Sequence, residues 1–227
     1  LTAVGNWTAT LNSNISGAGG QAGLPVIAIN ANGFTVNALA TTVNAVGSDG
    51  FTMTNGGAAA ILGGTNAQDT ITGGTGNDTI TGNNGADRVA GGTGSDSFVY
   101  NNVGADAIAA NRDTITDFVQ GAGGDTLSIS LTTLAGGTAF AGLTVGQTNV
   151  FTNVAGAANL ATNVLVDTTG NLAGANLANT RLAYDTTLNQ WLYDADGNWG
   201  AGSVSFANST NALTAAGLVA ANVQIIA

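Results

Sequence analysis

In one stretch of the chain, a bulky apolar residue recurs every nine residues. The positions are Ile71, Ile80, Val89 and Phe98, and most of their neighbours are polar or small. This alternation predicts strands of three residues, each about 10 Å long, whose middle side chain faces one way while its neighbours face the other. Stacked strands of this kind would bury the four apolar side chains and leave the flanking threonines in water.

The rest of the chain carries short β-prone runs separated by Gly and Asn, which also predict strands. The clearest runs are residues 25–29, 33–36, 163–166, 181–185, 190–193 and 204–206. We therefore predict an all-β protein with three regions. These are a β-rich N-terminal region at 1–62, a repeat region with its closing strands at 63–130, and a β-rich C-terminal region at 131–227.

The nine-residue spacing belongs to a repeated unit that begins with glycine and has aspartate at its sixth place. Four units follow one another over 64–72, 73–81, 82–90 and 91–99. Glycine accepts backbone conformations that a β-carbon penalises, so each unit can turn tightly with carbonyl oxygens pointing inward. The glycines at the second and fourth places are Gly74, Gly76, Gly85, Gly92 and Gly94, and the aspartates are Asp69, Asp78, Asp87 and Asp96.

This combination of glycine turns and aspartates predicts a calcium site. Ca²⁺ takes six to eight hard oxygen ligands at about 2.3–2.6 Å, and both carboxylates and backbone carbonyls supply them. Because a turn follows every short strand, two units should complete one coil, with alternate turns about 4.8 Å apart on the same edge. Asp69 should then face Asp87 and Asp78 should face Asp96, each pair with an ion between, while the turn glycines are the candidates for further ligands.

The same arrangement predicts that folding depends on calcium. Without an ion, two facing carboxylates repel by roughly 1 kcal/mol in water, and by more where they are desolvated. A three-residue strand that buries one apolar side chain cannot offset this repulsion together with the backbone entropy. At the affinity of extracellular calcium modules, millimolar Ca²⁺ contributes on the order of 0.4–1.4 kcal/mol per site, so several sites must act together. At cytosolic calcium the coil should stay unfolded.

These units resemble the G-G-x-G-x-D-x-U-x repeats of RTX (repeats-in-toxin) proteins. Residues 73–81 and 91–99 match at every place, whereas the first unit lacks two glycines and the third has Asn83 at the second place. The resemblance implies a right-handed parallel β-roll that binds Ca²⁺. It covers about a sixth of the chain closely.

The resemblance extends more loosely toward the C-terminus. Residues 113–118 followed by 125–130 resemble the stretch that closes an RTX roll, where an acid completes the last site. Asp113 and Asp117 are the candidates for that acid, and Asp106 is a further candidate ligand in an incomplete copy of the unit. Residues 182–227 are similar in composition to the uncleaved signal that type I secretion exporters read, which implies export from a bacterial cell.

Composition narrows the range of functions. The 227 residues include no Cys and no His, and 13 acids against three bases give a net charge of −10. A chain without thiol or imidazole lacks the Cys and His ligand set of zinc and haem sites and has no Cys or His nucleophile. Three Arg side chains cannot hold a phosphate backbone, so nucleic acid is not an expected partner. No stretch is apolar enough to span a membrane. We interpret the acidic excess as mostly a solvated face that attracts cations.

The leading hypothesis is therefore a secreted or cell-surface, calcium-binding structural protein of a bacterium. It would not be an enzyme, and it would self-assemble into a surface layer or an adhesive filament. The alternative is a C-terminal calcium-binding and secretion module of a larger RTX protease, lipase or toxin.

Other interpretations stay open at this point. The repeats could form a calcium-free β-solenoid in which Asp only shapes turns. An enzyme acting through Asp185, Asp194 or Asp196 is a third possibility. Trp191, Tyr193 and Trp199 are expected to pack in a hairpin rather than to form a sugar-binding platform.

Overall fold

The structure, a computed structural model, describes residues 5, 7–8, 27–37, 49–102, 112–132, 140, 142–143, 145, 151–153, 164–167, 180–196, 199 and 203–227. Within these ranges the protein is all-β apart from one 3-10 turn at Ala220–Asn222. No helix in the described ranges has the length and apolar character needed to cross a membrane. The candidate ligand Asp106 lies outside the described residues.

The described residues form seventeen strands, several of them only two or three residues long. In chain order they are β1 (Trp7–Thr8), β2 (Ile27–Asn30), β3 (Val36–Asn37), β4 (Asp49–Thr54), β5 (Ile61–Gly63), β6 (Gln68–Thr75), β7 (Thr79–Thr81), β8 (Arg88–Thr93), β9 (Ser97–Tyr100), β10 (Asp113–Ile115), β11 (Thr126–Ser130), β12 (Phe151–Asn153), β13 (Val164–Asp167), β14 (Leu182–Asp185), β15 (Gln190–Tyr193), β16 (Val204–Ser209) and β17 (Val223–Ile226).

Consecutive strands from β1 to β11 alternate between two sheets. The seven-stranded sheet has the order β1-β3-β5-β7-β9-β11-β17, and the ten-stranded sheet has the order β12-β13-β14-β15-β16-β10-β8-β6-β4-β2. All strand pairs within the repeat region are parallel. Residues of the repeats that pair across neighbouring strands of one sheet are 18 apart in the sequence, as are Ile71 and Val89 and also Ile80 and Phe98. Two units therefore complete one coil, as the sequence predicted.

The core is built from two columns of apolar side chains, one from each sheet. The predicted residues Ile71, Ile80, Val89 and Phe98 are all buried, at most 2% exposed. Because successive units lie in different sheets, Ile71 and Val89 belong to one column and Ile80 and Phe98 to the other. Burial of each such side chain contributes about 1.5–3 kcal/mol. The columns continue through Ile29, Met53 and Ile115 in one sheet and through Val36, Leu62, Leu127 and Val223 in the other.

The described strands on both sides of the repeats belong to the same two sheets. On the N-terminal side β4 pairs with β6 and β5 pairs with β7. On the C-terminal side β16 pairs with β10 and β17 pairs with β11, so the last described residues form one more coil. The division into three regions remains a prediction about the sequence.

The ten-stranded sheet extends beyond this last coil through β14 and β15, which pair antiparallel as a hairpin. Trp191, Tyr193 and Trp199 are at most 4% exposed, so they do not form a surface platform for sugars. Trp191 packs against Tyr184 and Phe118, with ring centroids 4.9 and 5.9 Å away. The aromatic residues of this hairpin therefore cover the end of the coil.

Candidate metal centre

Each aspartate of the repeat accepts a hydrogen bond from the backbone of the preceding coil. The N–H of Asp69 donates to Oδ1 of Asp87 at 2.7 Å, and the N–H of Asp78 donates to Oδ1 of Asp96 at 2.8 Å. Both predicted pairs are therefore brought together, one on each edge of the coil. In each unit the aspartate lies two residues before a buried apolar residue, so a regular coil places successive aspartates above one another.

The two columns of aspartates continue past the fourth unit. The N–H of Asp87 donates to Oδ1 of Asp113, and the N–H of Asp96 donates to Oδ1 of Asp125, both at 2.9 Å. We call the six residues of these columns the aspartate ladder: Asp69, Asp87 and Asp113 on one edge, and Asp78, Asp96 and Asp125 on the other. Sequence reasoning missed Asp125, although it lies two residues before buried Leu127, as Asp78 does before Ile80.

Asp117 has a different role from the ladder residues. Its Oδ1 accepts the N–H of Gly91 at 2.9 Å, and its Oδ2 accepts the N–H of Gly92 at 2.8 Å. The carboxylate therefore holds the turn that opens the fourth unit. Its predicted role as a ligand remains a prediction.

The ladder gathers carboxylates where water does not reach them. All six are 1–2% exposed. Burial raises the pKa of Asp69, Asp78 and Asp125 above the ordinary value for Asp, although backbone N–H donors oppose the shift. Burial, with the nearby charges of Asp125, Asp78 and Asp117, raises the pKa of Asp96 to about 6. A column of buried carboxylates with raised pKa values is one that a cation would stabilise.

Two carboxylate oxygens of the ladder have no hydrogen-bond donor among the described residues and are therefore available to a ligand such as a metal ion. Oδ2 of Asp78 and Oδ2 of Asp96 are buried and accept no hydrogen bond from the described residues. A Cβ added to Gly73 would lie 2.6 Å from Oδ2 of Asp78 and would also collide with the carbonyl oxygen of Gly91 in the next coil. A carboxylate oxygen and a carbonyl oxygen therefore converge beside a glycine that leaves the space open.

These oxygens fit calcium better than a softer metal. Ca²⁺ takes carboxylate and backbone carbonyl oxygens. Among the described residues, no three carboxylates group closely enough to form a metal cluster by themselves. A calcium ion held here would take most of its ligands from the carbonyl oxygens of the turns, as the repeat predicts.

Asp69 and Asp125, the first and last aspartates of the ladder in the sequence, differ from Asp78 and Asp96. Oδ1 of Asp69 accepts the N–H of Phe51, and its Oδ2 accepts both the N–H and the hydroxyl of Thr65. Oδ2 of Asp125 accepts the N–H of Val119 at 2.8 Å. Hydrogen bonds within the protein therefore satisfy these two carboxylates, and Asp69 is a weaker candidate ligand than Asp78 or Asp96.

Comparison with known families identifies the repeat. The family model for the RTX calcium-binding nonapeptide repeat (4 copies) matches residues 63–98. Residues 63–98 are RTX repeats. The match covers about a sixth of the chain. No curated protein matches the chain.

The turn glycines of the RTX repeats have the backbone that the sequence predicted. Gly92 has φ of 96°, a left-handed conformation, and Gly94 has φ of 135°. Gly74, Gly76 and Gly85 are also at positive φ. Where the third repeat has Asn83 in place of glycine, φ is 75°, and Nδ2 of Asn83 donates to the carbonyl of Gly64 at 2.7 Å. Asparagine therefore keeps the turn and adds a contact between coils.

The glycines that open the repeats serve another purpose. Gly73 and Gly91 do not have positive φ values. Glycine is required at these positions because neighbouring oxygen atoms lie too close for a Cβ, not because the backbone is left-handed. An added Cβ at Gly91 would collide with Oδ2 of Asp96. The prediction that all three glycine places serve conformation was therefore wrong for the first place.

Replacing Gly92 with alanine should destabilise the RTX repeats. The left-handed backbone costs a non-glycine residue about 1–2 kcal/mol, and the new Cβ would also press on the backbone of Gly74. We expect a lower urea midpoint in millimolar Ca²⁺, followed by circular dichroism. Gly56→Ala is the matched control, because nothing lies within 4 Å of its added Cβ. Equal effects of the two substitutions would contradict the turn geometry.

The other candidate carboxylates shape turns in the C-terminal part. Oδ1 of Asp185 accepts the N–H groups of Thr187 and Leu188 at 2.7 and 3.0 Å. Oδ1 of Asp194 accepts the N–H of Asp196 at 3.0 Å. Both aspartates are buried: Asp185 is 5% exposed and Asp194 is 1% exposed. The expectation that the chain is not an enzyme remains a prediction.

Proposed function

We propose that the chain is a calcium-binding protein whose RTX repeats fold as a right-handed β-roll when Ca²⁺ binds between the coils. The observation that carries this proposal is the pair of buried Oδ2 atoms on Asp78 and Asp96, which no described residue satisfies. A buried carboxylate oxygen without a partner is costly. When bound, calcium supplies positive charge and coordination to these oxygens. The ladder residues hold it, and the glycine turns leave the space.

The calcium dependence supports an extracellular role in a bacterium. Millimolar Ca²⁺ outside the cell would fold the repeats, whereas cytosolic Ca²⁺ would leave the ladder repelling itself. The chain would then pass a type I exporter unfolded, with residues 182–227 as the signal. In the folded protein Val223 and Ile225 of this segment are buried, at 3% and 1% exposure, so folding would withdraw the signal after export.

The location of charge supports a structural, self-assembling role. Eight of the 13 aspartates are buried: Asp69, Asp78, Asp87, Asp96, Asp113, Asp125, Asp185 and Asp194. Among the described side chains, the charged ones that are at least partly exposed are those of Asp117 and Asp196, which are negative, and Arg88, Arg112 and Arg181, which are positive. The interpretation of the acidic excess as mostly a solvated face was therefore wrong for these eight buried residues, six of which lie in the ladder and accept hydrogen bonds from the preceding coil.

This distribution of charge makes association depend on calcium. A chain with a net charge of −10 repels its copies when it is unfolded. The described surface carries few charges of either sign. Once divalent ions also neutralise the buried ladder, the folded chain therefore has little net charge left. Little net charge promotes association. We therefore propose assembly of copies into a surface layer or filament, without catalytic activity.

A calcium titration tests folding and assembly together. Circular dichroism should report a cooperative gain of β-structure in the millimolar range, and negative-stain microscopy should show ordered assemblies above the same concentration. A spectrum unchanged by chelation would contradict calcium-dependent folding and favour the calcium-free solenoid. Folding without assembly would favour the alternative, a calcium-binding module of a larger RTX protease, lipase or toxin.

Added surface charge should separate assembly from folding. Ile61 and Leu188 are 54% and 61% exposed and lie outside the ladder. The double variant Ile61→Asp, Leu188→Asp should fold at the same Ca²⁺ concentration and assemble less, as sedimentation would show. The control Ile61→Thr, Leu188→Thr removes the same apolar groups without adding charge. Equal assembly of the charged variant and the control would contradict a role for surface charge.

A further inference from the structure

The apolar spacing of the RTX repeats continues on their N-terminal side without the aspartate. Met53 and Leu62 precede Ile71 by 18 and nine residues, and both are fully buried in the same columns. Two residues before them, where the repeats have Asp, stand Phe51 and Ala60. These coils therefore keep the strand geometry but lack the carboxylate that would bind an ion.

A buried amide connects these coils instead. Asn55 is 2% exposed. Its Oδ1 accepts the N–H groups of Gly33 and Gly57 at 2.7 and 3.1 Å. Its Nδ2 donates to the carbonyl of Ala58 at 2.7 Å and to Oδ1 of Asp78 at 3.0 Å. The side chain thus uses both acceptor and both donor positions of an amide, and it joins the preceding coil, its own turn and the ladder.

The first RTX repeat is closed in a related way. Thr65, which is fully buried, occupies the second place, where the second and fourth repeats have glycine. Its N–H and hydroxyl donate to Oδ2 of Asp69 at 2.6 and 3.0 Å, and its Oγ1 accepts the N–H of Ala67 at 3.0 Å. The oxygen that is left without a hydrogen bond in Asp78 and Asp96 is therefore satisfied here by the protein.

From these contacts we infer that Asn55 and Thr65 set the point in the chain where calcium dependence begins. The described residues of these coils, 27–37 and 49–67, are joined by side-chain hydrogen bonds and hold their structure without the ion. Residues 73–99 need it. The metal-free coils then present β6 and the N–H of Ala60, which donates to Oδ1 of Asp78 at 2.7 Å, as a template for the first calcium-dependent coil. This inference rests on the proposed calcium-dependent folding.

Hydrogen exchange of the full chain, followed by mass spectrometry, tests the inference. In excess chelator, the amides of residues 49–64 should remain protected while those of 78–99 exchange as in an unfolded chain. Millimolar Ca²⁺ should protect both segments. Equal exchange of the two segments in chelator, whether both are fast or both are slow, would overturn the inference. If both stayed slow, calcium-dependent folding itself would fail; if both were fast and slowed with calcium, it would stand.

Substitutions of Asn55 sharpen this test. Asn55→Ala leaves the N–H groups of Gly33 and Gly57 without their acceptor, which should speed exchange of 49–64 in chelator about 5- to 150-fold. Asn55→Asp keeps the acceptor but sets a second carboxylate against Asp78, so protection should be lost in chelator and restored by Ca²⁺. Thr54→Ala, an exposed neighbour, is the matched control. Unchanged exchange in both Asn55 variants would overturn the role of Asn55.

The number of bound ions tests Thr65 separately. Thr65→Gly removes the hydroxyl that donates to Oδ2 of Asp69, keeps the backbone N–H, and gives the first repeat the glycine of the second, whose positive φ of 98° is then open to the turn. Equilibrium dialysis against ⁴⁵Ca²⁺ should then count one more ion per chain than in the unsubstituted protein. Thr65→Ser, which keeps the hydroxyl, should leave the count unchanged. An equal count in Thr65→Gly would overturn the role of Thr65.

Discussion

Replacing Asp96 with asparagine should stabilise the protein without calcium and destabilise it with calcium. Asparagine has nearly the same shape, and its Oδ1 can still accept the N–H of Asp78. Without an ion, the substitution removes a buried charge that Asp78, Asp125 and Asp117 repel. Each such pair costs roughly 1 kcal/mol even in water, so we expect a gain of about 1–3 kcal/mol in the free energy of unfolding. With calcium, the loss of a charged ligand should reverse the sign.

Urea unfolding at neutral pH in millimolar Ca²⁺ measures the loss, and the β-structure that circular dichroism detects in chelator measures the gain, since the repeats of the unsubstituted protein are unfolded there. The control is Asp196→Asn, which removes the same charge from an exposed residue outside the ladder. A surface substitution of this kind changes the free energy of unfolding by about 0.5 kcal/mol or less. Asp96→Asn effects of the same sign in both conditions would show that Asp96 does not bind the ion.

The geometry of the central ladder could be predicted because the repeat is strictly periodic. When each unit adds one turn and one strand, the spacing of 18 residues places Asp78 against Asp96 without any knowledge of the rest of the chain. The same logic fails where the period is interrupted. Asp125 follows Asp96 by 29 residues rather than 18, because extra residues stand both between Asp96 and Asp113 and between Asp113 and Asp125, so its place in the ladder cannot be found by counting.

Other features depend on contacts that are distant in the sequence. β16 and β17 add a coil after β10 and β11, but a long insertion separates the two pairs, so nothing local indicates their register. The coils on the N-terminal side of the repeats also have a signal in the sequence. Met53 and Leu62 keep the nine-residue spacing, but no aspartate marks these coils, because Asn55 makes the hydrogen bonds between them.

The calcium-free protein should be more stable near pH 4 than near pH 7. The folded state raises the pKa of Asp69, Asp78 and Asp125, and that of Asp96 to about 6, above the 3.8 of an exposed aspartate. The folded state therefore binds protons more tightly than the unfolded state. Its extra stability is complete below about pH 4 and is lost as the pH rises through about 6.

With millimolar Ca²⁺ the pH dependence should reverse, because protons compete with the ion for the same carboxylate oxygens. Thermal unfolding followed by circular dichroism, in chelator and in Ca²⁺ across this pH range, measures both slopes. Asp96→Asn should flatten the part of the calcium-free curve near pH 6, since it removes the group that titrates there. A calcium-free protein that gains stability steadily from about pH 4 to 7 would mean that the buried ladder carries its charge without needing a cation.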